Sequence, residues 1–244
     1  MTRVIVISDI HSNLTALEAV LADAGTVDEA WCLGDLIGYG PDPNECISLI
    51  QELPNLFCMM GNHDFAAIGE LGSDTFNSHA YRSLLWQKNE LSKKNLNFLK
   101  KLPSTSQIIG EVTLVHGSPR DPIWEYIMNL ETAKENLSFF DTPYCFFGHT
   151  HYPAFYNWVA DDEEPTNETP EPLVTQPLAN RAILNPGSVG QPRDKDPRAS
   201  YAIYDPQNNT WQLNRVEYDH KQVQERILKA GLPPYHANRL DTGS

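Results

Sequence analysis

The chain has 244 residues, 41% of them apolar, and a formal net charge of −14. That length and apolar content suffice for one large α/β core, while the charge disfavours a broad electrostatic hold on nucleic acid, which needs a basic face. No apolar run approaches the ~20 residues of a membrane span and no signal-peptide pattern opens the chain, so a cytoplasmic protein with no membrane partner and no stable nucleic-acid partner is expected.

Val4–Ser8 is a β-branched run and predicts a buried strand. Asn13–Ala24 follows with Leu14, Leu17, Val20 and Leu21 on one helical face. Ala30–Leu33 is a second expected strand, and Asp42 (N-cap) and Pro43 (first helical position) open a helix to about Leu53. Leu56–Met60 is a third strand. The order β-α-β-α-β implies a parallel sheet with helices packed on it. A helical cap is expected over about 65–102, with two helices in Thr75–Lys101 joined near Leu91-Ser92. Ser106–Ile109 and Val112–Val115 predict a hairpin about Gly110-Glu111, followed by a helix over Glu131–Phe139 and a strand over Tyr144–Phe147. Ala154–Val159, Leu173–Leu178 and Ala182–Leu184 are expected to be antiparallel strands, separated by a solvated acidic loop at 160–172. A second hairpin, Tyr201–Tyr204 with Trp211–Val216, and a helix over Asp219–Ala230 complete a domain spanning 1–232, with a loose tail at 233–244. The scattered cysteines Cys32, Cys46, Cys58 and Cys145 form no Cys-x-x-Cys pair and are expected to be reduced packing residues.

The chemistry sits at the strand ends. They are followed by Asp9-Ile10-His11, Gly34-Asp35, Gly61-Asn62-His63-Asp64, His116-Gly117 and Gly148-His149-Thr150-His151. The carboxyl ends of strands line the crevice of an open α/β sheet, and glycine lets the backbone turn sharply beside a ligand. Five of the eight histidines fall in these motifs, with Asp and Asn and without a thiol. That donor set suits a divalent first-row metal rather than a structural zinc–thiolate site.

Taken together, these motifs resemble those of the calcineurin-like metallophosphoesterases, and Asn185-Pro186-Gly187-Ser188 extends the likeness toward the bacterial phosphodiesterase branch. The resemblance implies an α/β (α+β) fold, a four-layer αββα sandwich of two mixed sheets flanked by helices. It implies two divalent ions (Mn, Fe, Zn, Co or Ni): Asp9, His11 and His151 on the first, Asn62, His116 and His149 on the second, and Asp35 bridging both. The expected reaction is hydrolysis of a phosphodiester or phosphomonoester of a small molecule or nucleotide, by in-line attack of a metal-bridging hydroxide. His63 would face the substrate and protonate the leaving oxygen, with Asp64 as the candidate to orient it or else a turn or cap residue.

Weaker signals surround this set. Asn13 is a candidate substrate contact or helix cap, and Tyr39 could flank the metals or simply pack. Arg120 and Arg193 are candidate anion contacts, Arg120-Asp121 being equally readable as a salt-bridged loop, and Trp124 or Tyr126 could stack on a base. His79, His220 and His236 are expected at the surface or in caps. A protein or dinucleoside-polyphosphate phosphatase is the alternative enzyme. Those relatives generally carry an arginine shortly after the bridging aspartate, where this chain has Leu36-Ile37-Gly38. A catalytically silent scaffold of the same fold would be expected to have damaged motifs, and all are intact here.

Overall fold

The computed structural model describes residues 2–69, 76–158, 165–178 and 180–244. Its strands are β1 (Val4–Ile7), β2 (Glu29–Cys32), β3 (Phe57–Cys58), β4 (Gln107–Ile109), β5 (Val112–Leu114), β6 (Tyr144–Phe146), β7 (Pro153–Trp158), β8 (Thr166–Glu168), β9 (Thr175–Pro177), β10 (Arg181–Pro186), β11 (Ala199–Asp205) and β12 (Thr210–Val216). The helices are α1 (Leu14–Ala24), α2 (Pro43–Gln51), α3 (Asn62–Ala67), α4 (Ser78–Glu90), α5 (Lys93–Leu99), α6 (Leu130–Asn136), α7 (His220–Lys229) and α8 (Pro234–Arg239).

Two six-stranded mixed sheets result, ordered β3-β2-β1-β11-β12-β9 and β4-β5-β6-β10-β7-β8. The two-residue period of a strand explains the layering. Val4 and Val6 join Trp31, Phe146, Leu184 and Trp211 in the core between the sheets. Their neighbours Ile5 and Ile7 face the other way, onto Leu17 and Val20 of α1 and Ile47 and Ile50 of α2. On the far face of the second sheet, Cys145, Phe147 and Ile183 pack on Ala133 of α6. The four-layer αββα arrangement therefore follows from alternation in strands buried on both faces. The four cysteines are free and buried, as expected of packing residues.

Most expected elements are present. β1, β2 and β3 pair in parallel, and α4 and α5 meet at Leu91-Ser92. Three readings need correction. The strand at 175–177 does not join its expected partners but crosses to pair with β12 in the first sheet. β10 is antiparallel to β7, as expected, and parallel to β6 on its other side. Within the expected acidic loop, Thr166–Glu168 pairs as an edge strand with β7, while 159–164 lie outside the described residues, as do 70–75 of the cap region. The tail is not loose: α8 packs Ala237 and Leu240 against Val223 and Ile227 of α7. Among the described residues no helix is long and apolar enough to cross a membrane.

Candidate metal centre

The loops after β1, β2, β3, β5 and β6 converge at one end of the sheets. Asp9, His11, Asp35, His149 and His151 all adopt left-handed backbone, with φ of 49–65°, a conformation that costs non-glycine residues roughly 1–2 kcal/mol each. These turns aim successive side chains at a common point. Gly61 permits a close approach, because a Cβ there would overlap the backbone nitrogen and carboxylate of Asp35.

The side chains form two adjoining donor groups, Asp9-His11-Asp35-His151 and Asp35-His116-His149. Asp35 belongs to both, and its Oδ2 lies 3.5 Å from His11 Nε2 and 3.6 Å from His116 Nε2. Asn62 Oδ1 joins the second group, 3.2 Å from His116 Nε2. The seven expected ligands are thus brought together, and all are buried.

The protonation pattern of the histidines decides whether this set fits a cation. His11, His116 and His151 place Nδ1 on the carbonyls of Ile37 (2.9 Å), Leu33 (2.8 Å) and Gln191 (2.6 Å). His149 places Nε2 on the Trp124 carbonyl at 3.2 Å. A carbonyl only accepts, so each of these nitrogens carries the proton and the other presents a lone pair inward. The inward nitrogens face each other in pairs, His11 with His151 at 3.1 Å and His116 with His149 at 3.2 Å. Neutral imidazoles in that arrangement are mutually repulsive without a cation between them. Asp9 Oδ1 is likewise buried without a hydrogen-bond partner, 3.4 Å from His151 Nε2. The donor set fits divalent metal.

Burial first, then the neighbouring Arg193 or other histidines, lowers the proton affinity of His11, His149 and His151, and burial takes His116 down to about 4. The histidines are therefore neutral and able to ligate at pH 7. Burial also pushes Asp9 up to about 7, and burial with Asp64 and Asp9 pushes Asp35 well above the usual carboxylate range. A bound cation reverses that cost for both carboxylates.

His63 projects into the same pocket. Its Nε2 lies 3.0 Å from the Tyr39 hydroxyl, and its Nδ1 is buried without a partner. Asp64 does not orient this ring. Its carboxylate accepts from the backbone amides of Gly61 (3.0 Å), Leu36 (3.2 Å) and Ile37 (3.2 Å), because α3 turns it back beneath the loop that carries Asp35. The neighbour of the imidazole is Tyr39, which Arg193 Nη2 also approaches at 3.3 Å.

Two further expectations change. Asn13 does not point at substrate: it caps α1 through Ala16 N and donates to the Gly190 carbonyl. Arg120 is held outside the pocket by Glu125 and Glu135. Its alternative reading, a salt-bridged loop, is the one observed. Tyr39, Arg193, Trp124 and Tyr126 do line the pocket, which holds about 240 Å³, with the Tyr126 ring stacked 3.9 Å from that of His149. The Asn185–Ser188 segment buttresses the ligand loops, Ser188 Oγ donating to the Asp9 carbonyl and Asn185 Nδ2 to the Gly148 carbonyl. His79 is exposed and His220 is partly so. His236 is buried instead, its ring 4.8 Å from that of Tyr39, because α8 packs over this side of the pocket.

Gln87 and Arg239 are pocket-side residues that no motif marks. Gln87 in α4 accepts from Gly38 N and donates to Gly40 O and Ser12 Oγ, tying the cap to the loops beside the ligands. A buried glutamine at one helical position carries no sequence signal. Arg239 enters the pocket from α8.

Comparison with known proteins agrees with this geometry. Residues 2–209 match the model of the calcineurin-like phosphoesterase superfamily domain. An uncharacterized protein of Methanocaldococcus jannaschii, MJ0912, is 39% identical, covering 99% of this chain and 98% of its own. The crystal structure of a metallophosphoesterase from Sphaerobacter thermophilus is 45% identical with a TM-score of 0.91, covering 100% of this chain and 99% of that one. A symmetrical bis(5'-nucleosyl)-tetraphosphatase of Photorhabdus laumondii is 29% identical over 68% of this chain and 58% of its own. A phosphoric ester hydrolase with a buried cluster of metal-binding residues, the chain belongs to the calcineurin-like phosphoesterase superfamily.

Proposed function

We propose that the protein is a two-metal phosphoesterase acting on a phosphodiester or phosphomonoester of a small molecule or nucleotide, with Mn, Fe, Zn, Co or Ni as the ions. The observation that carries this reading is the shared position of Asp35 Oδ2 between two donor groups. Asp9, His11 and His151 would hold one ion, and Asn62, His116 and His149 the other. When bound, such ions supply Lewis acidity and a water acidified to near neutral pH.

The chain's own residues supply the rest. The ligand histidines keep their orientation through backbone carbonyls, so the cradle is set before substrate arrives. His63 is the proton donor to the leaving oxygen. Burial, then Arg193, lowers its proton affinity, so the ring stays neutral in the empty site and takes up the proton it donates only when an anionic substrate lies beside it. Tyr39 holds its Nε2. Phe76, Trp124 and Tyr126 offer apolar surface for the organic part of the ester, and a pocket of about 240 Å³ suits a small ester rather than a polymer. A dinucleoside polyphosphate is the second reading, favoured by the similarity to the tetraphosphatase.

The test strips the metals, restores Mn, Fe, Co, Ni, Zn or Mg singly, and measures metal content beside hydrolysis of bis-p-nitrophenyl phosphate, p-nitrophenyl phosphate and diadenosine tetraphosphate. Two equivalents per chain with turnover of a nitrophenyl ester are expected, and preference for the tetraphosphate would select the second reading. One equivalent, or no hydrolysis with any metal, would remove the proposal.

A further inference from the structure

α8 and the loop after β10 bring two guanidinium groups to the same pocket, Arg239 and Arg193, beside Asp35, His149 and His151. One neutral atom joins them. Gln191 Oε1 accepts from Arg193 Nη2 at 3.3 Å and from Arg239 Nη1 at 3.1 Å. Arg193 donates otherwise to the Tyr39 hydroxyl, and its Nε is buried without a partner. Arg239 Nε donates to an oxygen of the terminal carboxylate of Ser244, while its Nη1 turns to Gln191. Tyrosine rings support both groups, with Arg193 Cζ 5.9 Å from the Tyr39 centroid and Arg239 Cζ 5.4 Å from that of Tyr235.

Among the described residues, neither arginine forms an ion pair with an aspartate or glutamate. Arg120, Arg198, Arg215 and Arg226 each do. What sets this pair apart is its place: the two arginines sit side by side in the pocket and share one amide oxygen. Like charges so placed repel. Burial, then Arg193, lowers the proton affinity of Arg239. An anion between the two groups relieves the repulsion, and planar guanidinium groups match phosphate oxygens in bidentate fashion.

We propose that Arg193 and Arg239, aligned on Gln191, form a subsite for a second phosphate, so that the substrate carries another phosphate beyond the one cleaved. The inference rests on the phosphoesterase reading above, in which the metal ligands engage the reacting phosphoryl and leave these arginines for its neighbour. The second phosphate can be joined directly, as in a diphosphate, or carried on the same sugar, as in a bisphosphate.

Binding tests the subsite independently of turnover. Calorimetry on the metal-loaded protein compares methylenediphosphonate with methylphosphonate, and adenosine 3',5'-bisphosphate with adenosine 5'-monophosphate. At least a tenfold tighter Kd for the doubly charged member of one pair is expected, and the pair identifies which linkage is read. Arg239→Gln should reduce that gap to within about threefold, and Arg239→Lys should retain part of it. Circular dichroism and the unfolding midpoint check that both variants fold. Equal affinities in the unmodified protein, or a gap that survives in folded Arg239→Gln, would overturn the subsite. Failure of hydrolysis with the gap intact would overturn the phosphoesterase reading alone.

Discussion

Replacing Asp9 with asparagine should stabilise the metal-free protein while destroying its metal binding. Asp9 is fully buried, and burial is the main reason its pKa rises from 3.8 to about 7. At ~1.4 kcal/mol for each tenfold change in proton affinity, that rise represents about 4 kcal/mol of destabilisation once the carboxyl ionises. The folded chain holds this proton more tightly than the unfolded chain does. Stability of the metal-free protein therefore loses this contribution as pH climbs from about 4 to 7, and loses no more of it above 7. Asparagine has the same shape, cannot ionise, and can still accept the His149 amide that Asp9 Oδ2 accepts at 3.1 Å. The advantage of Asp9→Asn should be near zero at pH 4 and approach about 4 kcal/mol at pH 8, or roughly 8–16 °C in Tm for a chain of this size. Urea unfolding in excess chelator, at half-unit steps from pH 4 to 8, measures it. Adding metal should invert the order, because ligand binding to the native state stabilises only the protein that keeps the site. An advantage that is absent at pH 8, or that does not grow with pH, would refute the assignment of Asp9 as a buried carboxylate requiring a cation.

Asp35→Asn should lower metal content and turnover together, measured by elemental analysis beside initial rates. His63→Ala should keep its metal but lose ~10²–10⁴-fold in kcat on an ester with a poor leaving group, the range for a placed proton donor. Its loss on a nitrophenyl ester should be smaller, and equal losses on both would remove the donor role. Gly61→Ala should displace the Asp35 loop, since the new methyl overlaps Asp35, and show as weakened metal affinity in a chelator competition. Gln87→Leu strands Gly38 N and Gly40 O in the interior and should cost ~1–3 kcal/mol for each group left unpaired, seen as a lower urea midpoint.

The candidate ligand set was legible because each member follows a strand, usually beside glycine, where the backbone can turn into the left-handed region. Five such local signals needed no knowledge of how distant segments meet. Roles that depend on the meeting were not legible. Asp64 neighbours His63 in sequence, but a helical turn sends its carboxylate to the amides of residues 36 and 37. Arg120 has the right chemistry for phosphate, and only the fold shows that Glu125 and Glu135 already occupy it. α8 has six residues and begins with proline, too short for an apolar period to stand out, so the tail looked unstructured and its arginine went unnoticed. The 175–177 strand went to the other sheet because a three-residue strand specifies no partner.

The anchoring of the ligand histidines sets the electrical character of the cleft. All four rest on uncharged peptide oxygens, where a carboxylate would have added a negative charge behind each ring. In the two-metal centre proposed above, the carboxylates of Asp9 and Asp35, with Asp64 beneath them, would offset the ions, and a pair of dications would outweigh them. An acidic molecule would then present an electropositive floor to whatever enters, with Arg193 and Arg239 at its edge. Attraction of that kind would be confined to the last few ångströms, which would favour compact, highly charged solutes over extended polyanions that must first cross the negative exterior.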